Sequence, residues 1–149
     1  MGDVNKLRRA LPSNAELIIG DLNETVPMFI KSGIDPTTPI GFISIDVDYY
    51  SSAKKALKIL AADPRYYLPV VAIYFDDIEP SLASPWTGEL LAINEFNEDE
   101  RMRKIAPFTF LRPYRIFKNA IWIDKMYAAH IHDHEFRYDA APHPTQRVL

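Results

Sequence analysis

Three apolar runs of this chain each finish in acid. "IGFISID" closes on Asp46, with Asp48 two residues on; "PVVAIYFDD" closes on Asp76 and Asp77; "AELIIG" leads into Asp21. Carboxylates at short range repel, so either one takes up a proton or a cation sits between them. A donor set made only of oxygen suits a hard divalent ion such as Mg²⁺. Each acid also has a plainer role available. Asp48 is spaced to cap a helix starting near Ser51, and Asp77 to open a turn. One aspartate after a strand is unremarkable, whereas three runs ending alike point to a shared acidic site.

The elements that must position these acids follow from the runs themselves. Each is short, rich in Ile, Val or Phe, and apolar on both faces, which is how a strand of a helix-covered parallel sheet reads. Strands are expected at about 15–20, 40–46 and 69–75. Ligands of open α/β sheets bind beyond the carboxyl ends of the strands, and neighbouring strands lie about 4.8 Å apart. If strands 40–46 and 69–75 are neighbours, Asp46 and the Asp76-Asp77 pair point into one crevice. Helical patterns fill the gaps. Residues 23–33 offer Asn23 or Thr25 as a cap, Pro27 in the first turn and Gly33 as a stop. Residues 51–64 start at a serine cap, set Ala53, Ala56, Leu57 and Leu60 on one face, and end at Asp63-Pro64. A further helix is expected from about Thr87 to Ile105, with Leu90, Leu91, Ile93 and Phe96 as its apolar contacts. Residues 108–119 and 120–132 read as an antiparallel strand pair at one sheet edge, with a turn near Asn119. The fold class is therefore α/β: three parallel strands with crossover helices plus a C-terminal antiparallel pair, in one domain spanning 1–149. Residues 138–149 read as a loose tail.

Composition narrows the partners. The chain has 149 residues, 48% hydrophobic and 25% charged, enough for one domain with a real core. A net charge of −3 and the lack of a dense Lys/Arg stripe argue against a nucleic-acid binder. With no cysteine, disulfides and thiolate metal sites are excluded. No apolar run reaches the roughly 20 residues needed to span a bilayer, and the N-terminus lacks the apolar core of a signal peptide. No membrane partner and a cytoplasmic location are the expectations.

"IGFISIDVDYYSSAKKALKIL", followed by "VVAIYFDDI", resembles the fourth and fifth strands of S-adenosylmethionine-dependent methyltransferases. The likeness is to the metal-dependent sugar O-methyltransferases of the macrocin O-methyltransferase group, which carry Asp-x-Asp-x-Tyr after one strand and Asp-Asp after the next. "AELIIGDLNETVPMFI" resembles their third strand and the helix after it, and "GELLAINEF" the helix after the fifth strand. The resemblance spans about residues 15–98. It implies a partial Rossmann-like sheet, Asp46, Asp76 and Asp77 as Mg²⁺ ligands, Asp46 beside the reacting hydroxyl as the group that helps take its proton, and Asp21 near the adenine of S-adenosylmethionine. The acceptor it implies is a hydroxyl of a small molecule, a sugar or natural product. The chain departs from the family in one respect. Its glycines, Gly2, Gly20, Gly33, Gly41 and Gly88, are too scattered to form the glycine-rich donor-binding loop. It resembles the C-terminal part of such an enzyme, and catalysis by this chain alone is in question.

Other readings stay open. Asp46-Val47-Asp48 also fits the Asp-x-Asp of a glycosyltransferase, although a second acidic strand end so soon afterwards fits it less well. A haloacid-dehalogenase-type phosphatase wants Thr or Val where Tyr50 stands. The missing glycine loop favours a non-catalytic relic that serves in oligomer or partner contacts. His130, His132 and His134 alternate as on one face of a strand, a spacing open to Zn²⁺ or Ni²⁺ but read first as the polar outer face of an edge strand. Trp86 is placed to close over a substrate or simply to pack. A strand at 15–20 without its usual neighbours must find a new partner or leave backbone groups open. The expectation is that a homo-oligomer or a companion chain covers that edge, and a monomer in sedimentation at micromolar concentration would refute self-association.

Overall fold

The computed structural model describes residues 3–79, 81–117 and 119–139. Its centre is a four-stranded open mixed sheet made by β1 (Ile40–Ile45), β2 (Tyr67–Phe75), β3 (Arg103–Pro107) and β4 (Met126–Ile131). The spatial order is β1-β2-β4-β3. β1 runs parallel to β2, with Ile45 opposite Phe75, and β4 runs antiparallel to both β2 and β3. In the second half of β2 every second residue, Val71, Ile73 and Phe75, loses all contact with water. Ile45, Ile105, Tyr127, Ala129 and Ile131 extend that buried face across the other three strands.

Helices cover this face. α1 (Val4–Ala10) and α2 (Leu22–Ser32) precede the sheet, and α3 (Tyr50–Ala56) crosses from β1 towards β2. A 3₁₀ turn at Leu57–Ala61 continues α3 and buries Leu57 and Leu60. Ala53 has no exposed surface, which lets α3 lie close on the strands. α4 (Gly88–Asp99) packs beside α3, and the short α5 (Glu135–Asp139) follows β4. Tyr50 donates to Glu95 at 2.6 Å and Lys54 reaches the same carboxylate at 2.6 Å, joining the two helices.

Several expectations need correction. Residues 15–20 form no strand, so the sheet has two adjacent parallel strands at one side rather than three. The run finds no sheet neighbour: Ile18 and Ile19 are exposed, and Gly20, at φ 154°, turns the chain directly into α2. The expected double coverage is also absent. Phe42, Leu68 and Val70, on the far face, remain 57%, 45% and 37% exposed. The antiparallel pair at the sheet edge exists, and β4 lies within the expected strand 120–132, but its partner is not residues 108–119. β3 begins at Arg103, inside the range expected to be helical up to Ile105, because the helix stops at Asp99. Residues 109–114 form a 3₁₀ turn containing Pro113, and a second such turn at Ile121–Lys125 precedes β4. The residue before a proline is restricted and the proline donates nothing, so "FTFLRPYRIF" is a poor ladder. The expected tail at 138–149 begins inside α5 and otherwise lies outside the described residues.

The buried joint of the far end is polar. Tyr67 is 1% exposed; its hydroxyl accepts from Ala62 N–H at 3.0 Å and donates to the Ile59 carbonyl. Arg103, 7% exposed, lies 5.5 Å over that ring, donates to the Leu60 carbonyl, and pairs with Asp133 at 3.1 Å. Replacing Tyr67 with Phe keeps the shape but strands the Ala62 N–H and the Ile59 carbonyl. The expected loss is on the order of 2 kcal/mol, read from urea denaturation, with the circular dichroism of the folded state unchanged.

Candidate functional site at the acidic strand rim

β1 and β2 run in one direction, so their carboxyl ends share a rim. The N–H of Asp76 donates to the Ile45 carbonyl at 3.0 Å, which seats the residue after β2 beside the end of β1. Asp46, Asp48, Asp76 and Asp77 therefore stand together. Because β4 is antiparallel, its start opens on the same rim as the end of β3. The loops there present large exposed groups: Tyr49, Leu82, Trp86, Phe110, Tyr114 and Phe117. Trp86, 78% exposed, packs against little, and its main chain bonds back to the Ser84 hydroxyl at 3.3 Å.

The acids differ in how they are held. Asp46 and Asp48 are exposed, and α3 starts without a side-chain cap, so Asp48 does not serve as one. Asp76 is the most engaged. Tyr74 donates to its Oδ1 at 2.8 Å, and Lys125 lies 3.6 Å from the same oxygen while donating to the Asp76 carbonyl. Partial loss of water pushes the Asp77 carboxyl above its ordinary range, and Asp48, Asp76 and Asp46 push it further. That mutual repulsion places the four aspartates in electrostatic reach of one another.

Asp21 belongs elsewhere. It caps α2, accepting from Asn23 N–H at 2.8 Å, and Lys55 sits 3.3 Å away. The Asn23 bond and then Lys55 hold its carboxyl below the usual range. Lys55 lies in the last turn of α3, which begins at the rim and runs away from it, so Asp21 is drawn off the strand ends. Asp21, rather than Asn23 or Thr25, is the cap.

A residue that the motif reading passed over completes the rim. Gly88, at φ 57°, turns the chain into α4 and sets Glu89 in its first turn. Glu89 is 3% exposed. Its Oε2 accepts the Asp77 N–H at 3.1 Å, and its Oε1 is buried without a partner. Burial, then the charge of Asp77, pushes this carboxyl up to about 8. A sequence signal for it exists: Glu89, Ala92, Ile93 and Phe96 share the i, i+3, i+4, i+7 stripe that faces the core, and an acid on such a stripe is out of place.

Among the described residues the histidines of this segment do not converge on a metal position. β4 ends at Ile131; the rings of His130 and His132 stack 5.9 Å apart, and His134 is buried, accepting the Phe136 N–H at 3.2 Å through Nδ1. With the side chains as placed, no three His, Asp or Glu groups among the described residues converge closely enough to hold a metal ion. A cleft of about 180 Å³ between α3 and α4 is lined by Lys54, Leu57, Ala92 and Phe96 and reaches the C-terminal end of α4, away from the acids. It falls short of the roughly 300–1,000 Å³ of ordinary small-molecule sites. Among the described residues no helix is long and apolar enough to cross a membrane. No family model, curated protein or solved structure matches the chain.

Glu89 gives the fold a pH dependence whose sign follows from its shift. An unfolded glutamate loses its proton near 4.5, whereas the folded one keeps it to about 8. The folded chain thus binds the extra proton between those values, and this group's contribution falls as pH rises through them, by up to about 1.4 kcal/mol per pH unit. Urea midpoints measured from pH 5 to pH 9 should fall for the wild type, and Glu89→Gln should flatten that decline.

Proposed function

We propose that this chain is a methyltransferase-like protein whose acidic rim presents a hydroxyl of a small molecule, a sugar or natural product, for Mg²⁺-assisted methylation by S-adenosylmethionine. One observation carries the reading: Asp76 N–H bonds to the Ile45 carbonyl at 3.0 Å, so the Asp-x-Asp after β1 and the Asp-Asp after β2 occupy one rim. These are the acids to which the resemblance assigns Mg²⁺: Asp46, Asp76 and Asp77. Carboxylate oxygens fit a hard divalent ion, and partial loss of water, with Asp48, Asp76 and Asp46 nearby, raises the Asp77 carboxyl, which a bound cation would lower again. When bound, the ion lowers the pKa of a coordinated hydroxyl and fixes its direction. Asp46, exposed and without a hydrogen-bond partner among the described residues, is free to take the hydroxyl proton. Exposed aromatic groups on the rim loops offer flat surfaces for an acceptor.

S-adenosylmethionine fits the described residues less well. No glycine-rich turn follows a strand, Asp21 is committed to capping α2, and the cleft between α3 and α4 is too small and misplaced. The exposed Phe42, Leu68 and Val70 favour a second reading, a non-catalytic domain that docks on another chain or copy.

Calorimetric titration separates the two, and also the glycosyltransferase alternative. Heat with S-adenosylmethionine that requires Mg²⁺ is the expected result. Heat with a UDP-sugar instead would favour sugar transfer, and silence with both would favour the docking domain.

A further inference from the structure

At the end of the sheet away from the acids, the ladder between β2 and β4 is closed by a side chain. Its last pair is Val70 with His130, and β4 stops one residue later at Ile131. Pro69, next along β2, has no N–H with which to extend the ladder. Its half-buried carbonyl still needs a donor. Arg137 of α5 supplies two, Nε at 3.2 Å and Nη2 at 3.1 Å.

The same Nη2 lies 3.0 Å from Nδ1 of His130. A guanidinium only donates, and it keeps its charge at any ordinary pH. Nδ1 is therefore the acceptor, which makes the ring neutral with its proton on Nε2. A second proton would have to go to Nδ1. The hydrogen bond would then become a contact between two positive N–H groups. Among the described residues no carboxylate pairs with His130 to offset that. His132 stacks 5.9 Å away on the same side of β4. Lys104, opposite His130 on β3, donates to the Asn97 and Glu100 carbonyls, and Val70 on β2 is apolar. Asp133 is paired with Arg103, and Glu135 of α5 is exposed and acts on Arg65. Burial, then Arg137, then His132 hold the His130 ring below the ordinary imidazole range.

We propose that His130 and Arg137 form a proton-sensitive latch: neutral His130 fastens α5 across the end of the β2–β4 ladder, and protonation of its ring releases Arg137 and the helix. The rest of α5 offers little resistance. Arg137 N–H bonds back to the His134 carbonyl within the same turn, and Glu135 and Phe136 are exposed. An unfolded histidine takes its proton near 6.5 and the folded His130 at lower pH. The latch is therefore complete above that value and is lost as pH falls through the folded one. It is independent of any activity at the acidic rim.

Nuclear magnetic resonance of the labelled whole chain from pH 7.5 to pH 5 tests it. At pH 7.5 His130 should carry its proton on Nε2. Exchange of the Arg137 Nε–H with water, corrected for its intrinsic pH dependence, should then rise tenfold or more on acidification, with the midpoint at which His130 titrates. In His130→Gln the amide oxygen accepts from Arg137 at every pH, so the corrected exchange should stay flat. A proton on Nδ1 at pH 7.5 overturns the proposal, and so does a rise in His130→Gln equal to that of the wild type. If His130→Gln fails to fold, the wild-type midpoints decide. Coincidence of the His130 and Arg137 transitions supports the latch, and transitions that coincide with His132 or His134 instead refute it.

Discussion

A hydrogen bond from a backbone amide to a buried carboxyl group ties the sheet to its helical layer. The amide belongs to Asp77, just past the central strand, and the carboxyl to Glu89, in the first turn of α4. Removing a carboxyl from water is costly unless its oxygens find donors. Here one does and the other does not. The position of α4, and through Glu95 that of α3, is thereby referred to the end of β2. The rim acids inherit their spacing from that frame: Asp76 through its bond to Ile45, Asp77 through Glu89. A polar group that is poor for stability thus sits where it defines the geometry of the charged edge, a pattern common where stability yields to function.

The strands most legible in the sequence were the short apolar runs that end in acid. "IGFISI" and "VVAIYF" read as strands because they are short apolar runs rich in Ile, Val and Phe; β2 buries Val71, Ile73 and Phe75 completely, β1 buries Ile45, and their adjacency is the main fact that the acids required. "AELIIG" has the same composition without the same fate. A strand needs a neighbour for its backbone groups, and local composition does not say whether one is present. "FTFLRPYRIF" misled for a different reason: its aromatic residues favour strands, but Pro113 and the turn it sits in leave Phe110, Tyr114, Ile116 and Phe117 exposed instead. β3 was hidden in "RKIAP", whose Arg and Lys look like a helix end. Arg103 is buried there because its guanidinium finds Leu60, Asp133 and the ring of Tyr67.

The candidate site divides along the same line. Asp46, Asp76 and Asp77 were readable because they end consecutive parallel strands, a relation that topology preserves. Asp21 was assigned on the premise of a third strand, and without it the side chain becomes a helix cap. Glu89 and Lys125 act at the rim from 12 and 49 residues beyond their partners Asp77 and Asp76. Lys125 left no local mark in the sequence. Glu89 left one, an acid on an apolar stripe, which becomes informative only when the stripe is known to face the strand ends.

The insertion of β4 between β2 and β3 bears on how the chain comes together during synthesis. β1, α3 and β2 form a local unit that can assemble early, since β1 and β2 are sequential neighbours joined by their crossover. β3 is translated next but has no place on that unit, because its ladder partner is β4 alone. β2 also keeps one side unpaired until the same strand arrives. The last strand is therefore the keystone of the sheet. Until residue 131 has left the ribosome, two ladders remain open at once, and a nascent chain stalled before that point would expose Val71 and Ile73 beside an unfilled gap, the condition under which polypeptides most readily pair with the wrong neighbour.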